Sequence, residues 1–271
     1  MRFLDNGLFY VDEGAGKPLL FIHGWCMSSA VWELQRRSVI KEHRMLAPDL
    51  RGHGRSALQG GGIGGFYGYA ADIADLFEKL ELTGVTAVGW SMGAQALLRA
   101  YPRLKERIAA LLLVGATPRF TAAAHFPWGL HPDQARGMGL KVRRHLQRAL
   151  EDFRQRLFAE GELDEPGLAE RVGTILSTVL APTSTAALDG LEALMEEETL
   201  AEARQVDCPT LIIHGSLDRI CNPEASRWLE SAIAGSVRHC YDGCGHAPFL
   251  TRPDLFNADL LQLAGGADGR G

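Results

Sequence analysis

The chain lacks the features of a membrane or secreted protein. No apolar stretch in its 271 residues approaches the ~18 residues that a membrane-spanning helix needs. The amino terminus has no apolar centre of the kind found in a secretory signal peptide. A formal net charge of −5 gives no general attraction to nucleic acid. We therefore expect a soluble cytoplasmic protein that binds neither membranes nor nucleic acid.

Cofactor and metal motifs are also missing. No Gly-x-Gly-x-x-Gly fingerprint follows a predicted strand, and there is no Gly-Lys-Ser/Thr phosphate loop. The five cysteines are scattered and odd in number, which disfavours a disulfide framework. His239, Cys240, Cys244 and His246 are close in sequence, but the first two would point to opposite faces of a strand. We expect neither a metal nor a cofactor.

Short apolar segments recur in both halves of the chain and predict buried strands. They are Leu19–His23, Arg44–Ala47, Val85–Gly89, Ala109–Val114, Pro209–Gly215 and Val237–Tyr241. Helical patterns alternate with them, which predicts an α/β fold with a mostly parallel sheet covered on both faces. A hairpin over Arg2–Asp12, with Asn6–Gly7 as a two-residue turn, precedes the sheet. The glycine-rich segment Gln59–Gly65 predicts a mobile loop before a helix over Tyr69–Leu80.

Residues 119–203 contain no strand-like run. Apolar residues at helical spacing are Leu146, Leu150, Phe153 and Leu157. Further helices are predicted over Glu165–Leu180 and Thr185–Glu198. We interpret 119–203 as a helical cap inserted into a core formed by 1–118 and 204–271.

Ser91 lies at the centre of Gly-Trp-Ser-Met-Gly, Gly89–Gly93, between a predicted strand and a predicted helix. In that context G-x-S-x-G is typical of a nucleophile elbow, a sharp turn that exposes the serine hydroxyl. The glycines are needed because a Cβ at either position would crowd the strand or the helix. Glycine-rich turns before helices also occur without chemistry, so the interpretation depends on partner residues.

A nucleophilic serine needs a general base and an acid that orients the base. Asp218 follows the predicted strand Pro209–Gly215, and His246 follows Val237–Tyr241. This is the chain order of α/β hydrolases. Asp218 could instead cap the following turn, and His246 could be a surface-loop histidine. Their joint arrangement with Ser91 predicts a catalytic triad of Ser91, Asp218 and His246.

Three other histidines lie near strand ends. His23 and His53 precede Ser91, which is the wrong chain order for the base of this fold. His214 lies inside a predicted strand, and we interpret it as structural.

An oxyanion hole is predicted beside the serine. One backbone N–H comes from Met92, directly after the nucleophile, and the other from Trp25, after the strand Leu19–His23. Such donors stabilise the negative oxygen of a tetrahedral intermediate. The Trp25 side chain is open to two interpretations, core packing or the wall of an acyl pocket.

The predicted cap has segregated charge. Basic residues dominate from Arg119 to Arg156, and acidic residues dominate from Glu162 to Glu202. Lys141, Arg144 and Arg148 are spaced to share one helix face. This face is either solvated or a docking site for an acidic partner.

These motifs resemble the α/β-hydrolase superfamily over essentially the whole chain. Within it, several segments are similar to the BioH family, the esterases of biotin synthesis that cleave the methyl ester of pimeloyl-acyl carrier protein. They are Gly89–Ser91, Trp128–Asp133, Leu188–Leu194 and His246–Phe249. The resemblance implies a methyl ester bound under the cap and Phe153 in the substrate channel. It also implies that an acidic carrier protein docks on cap arginines, for which the candidates are Arg143, Arg144, Arg148, Arg154 and Arg156. We also expect the protein to be a monomer.

Other functions remain open on the same residues. A serine nucleophile disfavours dehalogenase or epoxide chemistry, which this superfamily performs with an aspartate at that position. A general short-chain carboxylesterase and a cofactor-free perhydrolase also fit His-Gly-Trp and Ser-Met-Gly. A non-catalytic binding protein on the same fold is disfavoured because all three triad positions are occupied by competent residues.

Overall fold

A computed structural model of the chain describes residues 2–56 and 62–266. Within these residues the protein is built on an eight-stranded sheet. The strands are β1 (Arg2–Phe3), β2 (Phe9–Glu13), β3 (Lys17–Ile22), β4 (His43–Pro48), β5 (Val85–Trp90), β6 (Ile108–Val114), β7 (Thr210–Gly215) and β8 (Val237–Tyr241). Their spatial order is β1-β2-β4-β3-β5-β6-β7-β8. The β1–β2 and β2–β4 pairs are antiparallel and all other pairs are parallel.

Helices connect these strands. They are α1 (Glu33–Val39), α2 (Gly65–Lys79), α3 (Met92–Leu104), α4 (Pro132–Arg144), α5 (Leu146–Gln155), α6 (Leu168–Thr178), α7 (Ser184–Glu196), α8 (Leu200–Ala203), α9 (Pro223–Ala232), α10 (Pro248–Thr251) and α11 (Pro253–Gly266). Helix α2 packs on α3, and α1 packs on α11. Every residue of the central strand β5 is buried, as expected when helices cover both faces of a parallel sheet. In the part of the chain that is described, no helix is long and apolar enough to cross a membrane.

The predicted strands are confirmed to within two residues at each end. The opening hairpin is also present, but the predicted two-residue turn is wrong. Leu4 N–H donates to the Leu8 carbonyl at 2.9 Å, which leaves a three-residue loop, 5–7. Gly7 has φ +80°, the left-handed conformation that closes such a loop with a bulge.

The glycine-rich loop lies only partly within the described residues. Positions 59–61 of the predicted Gln59–Gly65 loop are outside them. Gly65 is already the first residue of α2, so this helix begins four residues earlier than predicted.

Helices α4–α8 all lie between β6 and β7, within residues 119–203, the segment that we call the cap. The predicted shared face of Lys141, Arg144 and Arg148 is wrong, because α4 ends at Arg144 and Arg148 belongs to α5. His145 breaks the helix with an extended backbone, φ −155° and ψ 86°. The break allows α4 to pack against both α5 and α7, which one straight helix could not do.

Candidate active site

Ser91 occupies a strained turn between β5 and α3. Its φ of +55° and ψ of −116° lie in a region that non-glycine residues rarely adopt and that costs about 1–3 kcal/mol. Its N–H donates to the Val114 carbonyl at 2.9 Å, which ties the turn to the next strand of the sheet. Ser91 is 8% exposed, so the turn presents the serine to a nearly closed site.

Two glycines make this turn possible. A Cβ on Gly93 would lie 2.4 Å from the Ile22 carbonyl oxygen, and a Cβ on Gly89 would lie 2.7 Å from Ala94 Cα. Both distances are too short for any side chain. The flanking positions of the motif are therefore fixed by close packing of strand, turn and helix.

Asp218 and His246 meet at the carboxyl end of the sheet. Asp218 lies in the loop after β7 and His246 in the loop after β8, and both side chains are fully buried. His246 Nδ1 and Asp218 Oδ2 are 2.7 Å apart. Because an ionised carboxylate only accepts hydrogen bonds, Nδ1 carries the proton and Nε2 is left as the acceptor. Within the described residues, Nε2 has no hydrogen-bond partner.

The Asp218 carboxylate is held ionised by its surroundings. Oδ1 accepts the backbone N–H groups of Ile220 at 2.8 Å and Cys221 at 3.0 Å. Burial alone would raise the pKa of Asp218, but the attraction of His246 and hydrogen bonds from His214 and His246 outweigh burial and hold the pKa below its usual value. The carboxylate thus stays charged where it orients the imidazole.

The Ser91 side chain approaches the same loop as Asp218. It lies near the Cys221 thiol, whose pKa is raised well above its usual value by burial and by the nearby charge of Asp218. The Trp90 indole, next to Ser91 in the chain, donates to the His246 carbonyl at 2.9 Å, and the two rings lie 5.6 Å apart. The three predicted residues therefore belong to one buried cluster. In the described part of the chain, no hydrogen bond joins the Ser91 hydroxyl to His246 Nε2.

The other strand-end histidines lie apart from this pair. His23 and His53 are fully buried, with ring centroids 5.3 Å apart. His23 Nε2 accepts the Leu50 N–H at 2.9 Å. Burial lowers the pKa of His23 to about 4, and burial together with the nearby His23 lowers that of His53 to about 3. Both rings are therefore neutral parts of the core at neutral pH.

The predicted oxyanion donors, Met92 and Trp25, belong to segments next to the elbow. Met92 is the first residue of α3, and Trp25 follows Gly24 in the loop after β3. A Cβ on Gly24 would lie 3.4 Å from Ser91 Cβ, so this loop packs directly against the serine. Both N–H groups belong to segments that touch the turn.

The Trp25 side chain joins the core to the cap. Its indole N–H donates to the Ala187 carbonyl at 2.8 Å, and its ring meets Phe153 edge to face at 4.9 Å. Trp25 and Phe153 line a cleft of about 30 Å³ between α4 and α5. Lys141 and Asp152 lie at this cleft and form an ion pair of 2.7 Å.

The five candidate docking arginines differ in their exposure to solvent. Arg143, Arg144, Arg148 and Arg156 are exposed on the cap. Arg154 is half-buried, donates to the Val179 carbonyl at 3.4 Å and acts electrostatically on the buried Cys26. Arg154 therefore faces inward.

The cysteines and histidines near the carboxyl terminus do not converge. All five cysteines are free. His239 Nδ1 lies 2.9 Å from Asp259, Cys240 is exposed, and Cys244 is buried. His246 is bound to Asp218.

Two residues that contact Asp218 or His246 were not predicted from the sequence to belong to the site. His214, interpreted as structural, has Nε2 3.1 Å from Asp218 Oδ2 and 3.0 Å from the Cys221 carbonyl. The position of His214, directly before the turn Gly215–Asp218, was the feature of the sequence that could have indicated this contact. Gly115, with φ +52°, lies so close that a Cβ would be 3.0 Å from His246 Nδ1.

The chain belongs to the alpha/beta hydrolase family, which matches residues 19–259. It is similar to a pimeloyl-[acyl-carrier protein] methyl ester esterase from Nitrosospira multiformis, with 29% identity covering 94% of this chain and 97% of the relative. It is also similar to a non-heme haloperoxidase from Rhodococcus erythropolis, with 30% identity covering 94% and 95% of the two chains. Among solved structures, the esterase EaEST from Exiguobacterium antarcticum has a TM-score of 0.88 and 25% identity, covering 95% of both chains.

Proposed function

We propose that the protein is a serine carboxylesterase with Ser91 as nucleophile, His246 as general base and Asp218 as orienting acid. The observation that carries the proposal is the buried 2.7 Å bond from His246 Nδ1 to Asp218, which leaves Nε2 without a partner in the described residues. A fixed imidazole with a free acceptor nitrogen is what a general base requires. The strained elbow supplies the serine in the same buried cluster. Residues 119–203 act as a cap over a core of 1–118 and 204–271.

The mechanism has two steps. His246 Nε2 takes the Ser91 proton as Oγ attacks the ester carbonyl, and Asp218 stabilises the imidazolium. The N–H groups of Trp25 and Met92 stabilise the oxyanion. The alcohol leaves with the proton from His246, and water then releases the acid from the acyl-enzyme. For Nε2 to accept this proton, the Ser91 hydroxyl must turn towards His246.

The substrate that we favour is the methyl ester of pimeloyl-acyl carrier protein. The similarity to the Nitrosospira multiformis esterase over nearly the whole chain supports this choice. The exposed cap arginines Arg143, Arg144, Arg148 and Arg156 suit an acidic carrier protein. Arg143 also lines a groove of about 350 Å³ between α4 and α7, beside Arg136 and the exposed Leu140. The acyl chain would lie against Trp25 and Phe153.

A second candidate is hydrolysis or perhydrolysis of short-chain esters. It is favoured by the closed contact of Trp25 with Phe153, whose cleft of about 30 Å³ holds no long acyl chain without a shift of the cap. Similarity to a non-heme haloperoxidase and to EaEST also favours it.

Assays of the purified protein on two substrates test the proposal. Pimeloyl-acyl carrier protein methyl ester and p-nitrophenyl acetate would be hydrolysed side by side, with Ser91→Ala as control. We expect a higher kcat/KM for the carrier-linked ester, and no turnover of either ester by Ser91→Ala. Turnover of the acetate alone would favour the second candidate, and esterase activity retained in Ser91→Ala would refute the proposed nucleophile. Rescue of a biotin-requiring strain that lacks its own pimeloyl esterase would test the physiological role.

A further inference from the structure

Glu162 is a buried carboxylate at the contact between the cap and the histidine loop. It lies between α5 and α6 and is 6% exposed. Oε2 accepts the N–H of Ala159, within the cap, and the N–H of Gly245, each at 2.7 Å. Oε1 accepts the Thr251 hydroxyl at 2.6 Å. One cap side chain therefore holds donors on both sides of His246.

The backbone makes a second, independent connection at the same place. The His246 N–H donates to the Leu157 carbonyl of the cap at 2.7 Å. Gly245 lies so close to the cap that a Cβ would be 2.5 Å from this same carbonyl oxygen and 2.8 Å from Ala159 N. On the other side of the loop, a Cβ on Gly215 would lie 2.0 Å from the Gly245 carbonyl oxygen. The histidine loop is thus held between the end of β7 and the cap.

This packing contributes to the position of the imidazole. Asp218 holds one ring nitrogen, and the Trp90 indole holds the His246 carbonyl from the core. The successive N–H groups of Gly245 and His246 both donate to cap residues, so their peptide units are fixed by the cap. A catalytic group must be held to within about 0.5 Å of its productive position, which requires such supporting contacts.

We propose that Glu162 is a positioning residue for His246, and that the segment between α5 and α6 is a fixed wall of the active site. The proposal rests on the esterase function proposed above. Any opening of the cap for substrate must then involve α4 and α7, while Leu157–Glu162 stays in place. Glu162 touches no reacting atom and acts only through the histidine loop.

Substitutions at Glu162 and Thr251 test this role. Glu162→Ala should lower kcat for p-nitrophenyl acetate by about 10- to 100-fold, the effect expected of a misplacement on the order of 1 Å. KM should change much less, and the number of serines that react with a fluorophosphonate should stay at one per chain. Glu162→Gln keeps an acceptor for the two N–H groups and should restore most of kcat. Glu160→Ala, an exposed neighbour in the same loop, is the matched control and should behave as wild type.

The results separate positioning from simple stabilisation. If Glu162 only stabilises the fold, activity per reactive serine will equal that of wild type, and the proposal is overturned. If Glu162→Ala does not fold, Thr251→Val decides, because it removes one of the hydrogen bonds to Glu162 at nearly constant volume. A lower kcat in Thr251→Val and a normal kcat in Thr251→Ser support the role, and normal kcat in both overturns it.

Hydrogen–deuterium exchange distinguishes a failure of this proposal from a failure of the esterase assignment. If the wild-type protein hydrolyses no ester, the assignment fails. Positioning is then judged by amide exchange at Gly245 and His246, which should be faster in Glu162→Ala than in Glu160→Ala. Equal exchange in the two variants would refute the role of Glu162 whatever the reaction.

Discussion

Asp218 and His246 share a 2.7 Å hydrogen bond in a site closed to solvent. The two residues lie in different loops, after β7 and after β8, and neighbouring parallel strands bring these loops together. The bond fixes Nδ1 as the protonated nitrogen of the imidazole. The proposed mechanism depends on this tautomer.

Replacing the acid should therefore remove most activity without unfolding the protein. We expect Asp218→Asn to lower kcat for p-nitrophenyl acetate by about 10⁴-fold with little change in KM, because an amide donor favours the wrong tautomer. Asp242→Asn, at an exposed site in the histidine loop, is the control and should keep wild-type kcat. Steady-state kinetics would check both, and an Asp218→Asn enzyme within tenfold of wild type would contradict the assigned role.

The strain at Ser91 predicts a stability gain when the elbow is relaxed. Ser91→Gly should be more stable than Ser91→Ala by about 1 kcal/mol, because glycine adopts φ +55° without steric penalty but is more flexible when unfolded. Both variants lack the hydroxyl and should be inactive, so catalysis does not complicate the comparison. Urea unfolding of the two variants measures the difference, and a Ser91→Gly variant less stable than Ser91→Ala would contradict the expected strain.

The buried histidines predict a loss of stability in mild acid. The pKa values of His23 and His53 are lowered from 6.5 to about 4 and about 3. Between pH 6.5 and 4 the unfolded chain therefore binds more protons than the folded chain, and the free energy of unfolding falls as pH falls. Each group contributes up to about 1.4 kcal/mol per pH unit.

Urea unfolding across this pH range checks that expectation. His53→Gln should show a shallower dependence on pH than wild type. The control His131→Gln, at an exposed site, should leave the slope unchanged. A wild-type slope in His53→Gln would mean that His53 is not buried in its neutral form.

The exposed cap arginines predict a substrate-dependent effect. Arg143→Glu with Arg148→Glu should raise KM for the carrier-linked ester by about 10-fold or more, equivalent to about 1.4 kcal/mol. Kinetics on p-nitrophenyl acetate should not change, because that substrate carries no acidic partner. Added salt should weaken the wild-type interaction more than that of the variant.

A charge reversal on another surface shows whether the effect on KM depends on the location of the arginines in the cap. Arg227→Glu reverses an exposed charge on α9 and should leave KM for the carrier-linked ester unchanged. If Arg227→Glu raised KM as much as the double substitution on the cap, the effect would come from net charge alone. The cap would then not be the docking site.

The sheet was predictable because its central strands are continuous apolar runs between turn signals. β5 and β6 differ from their predictions by one residue at one end. The break at His145 was not predictable, because neither proline nor glycine marks it and apolar residues continue at helical spacing on both sides. Packing of α4 on α5 and α7 determines it.

The active site was predictable only in part, because contacts between distant segments determine the rest of it. The positions of Asp218 and His246 follow from strand order, which places both loops at one edge of the sheet. Glu162 lies in Glu-Gly-Glu, where a buried carboxylate and a solvated one have the same sequence pattern. His214 is a polar residue in an apolar strand, but its contact with Asp218 depends on how the loop after β7 folds back onto that strand.

Labelling with a fluorophosphonate tests the proposed nucleophile and base most directly. We expect one adduct per wild-type chain, found by mass spectrometry on the peptide that contains Ser91. We also expect no adduct in Ser91→Ala and labelling slowed by orders of magnitude in His246→Gln. An adduct at another residue, or equal labelling rates in His246→Gln and wild type, would contradict the account.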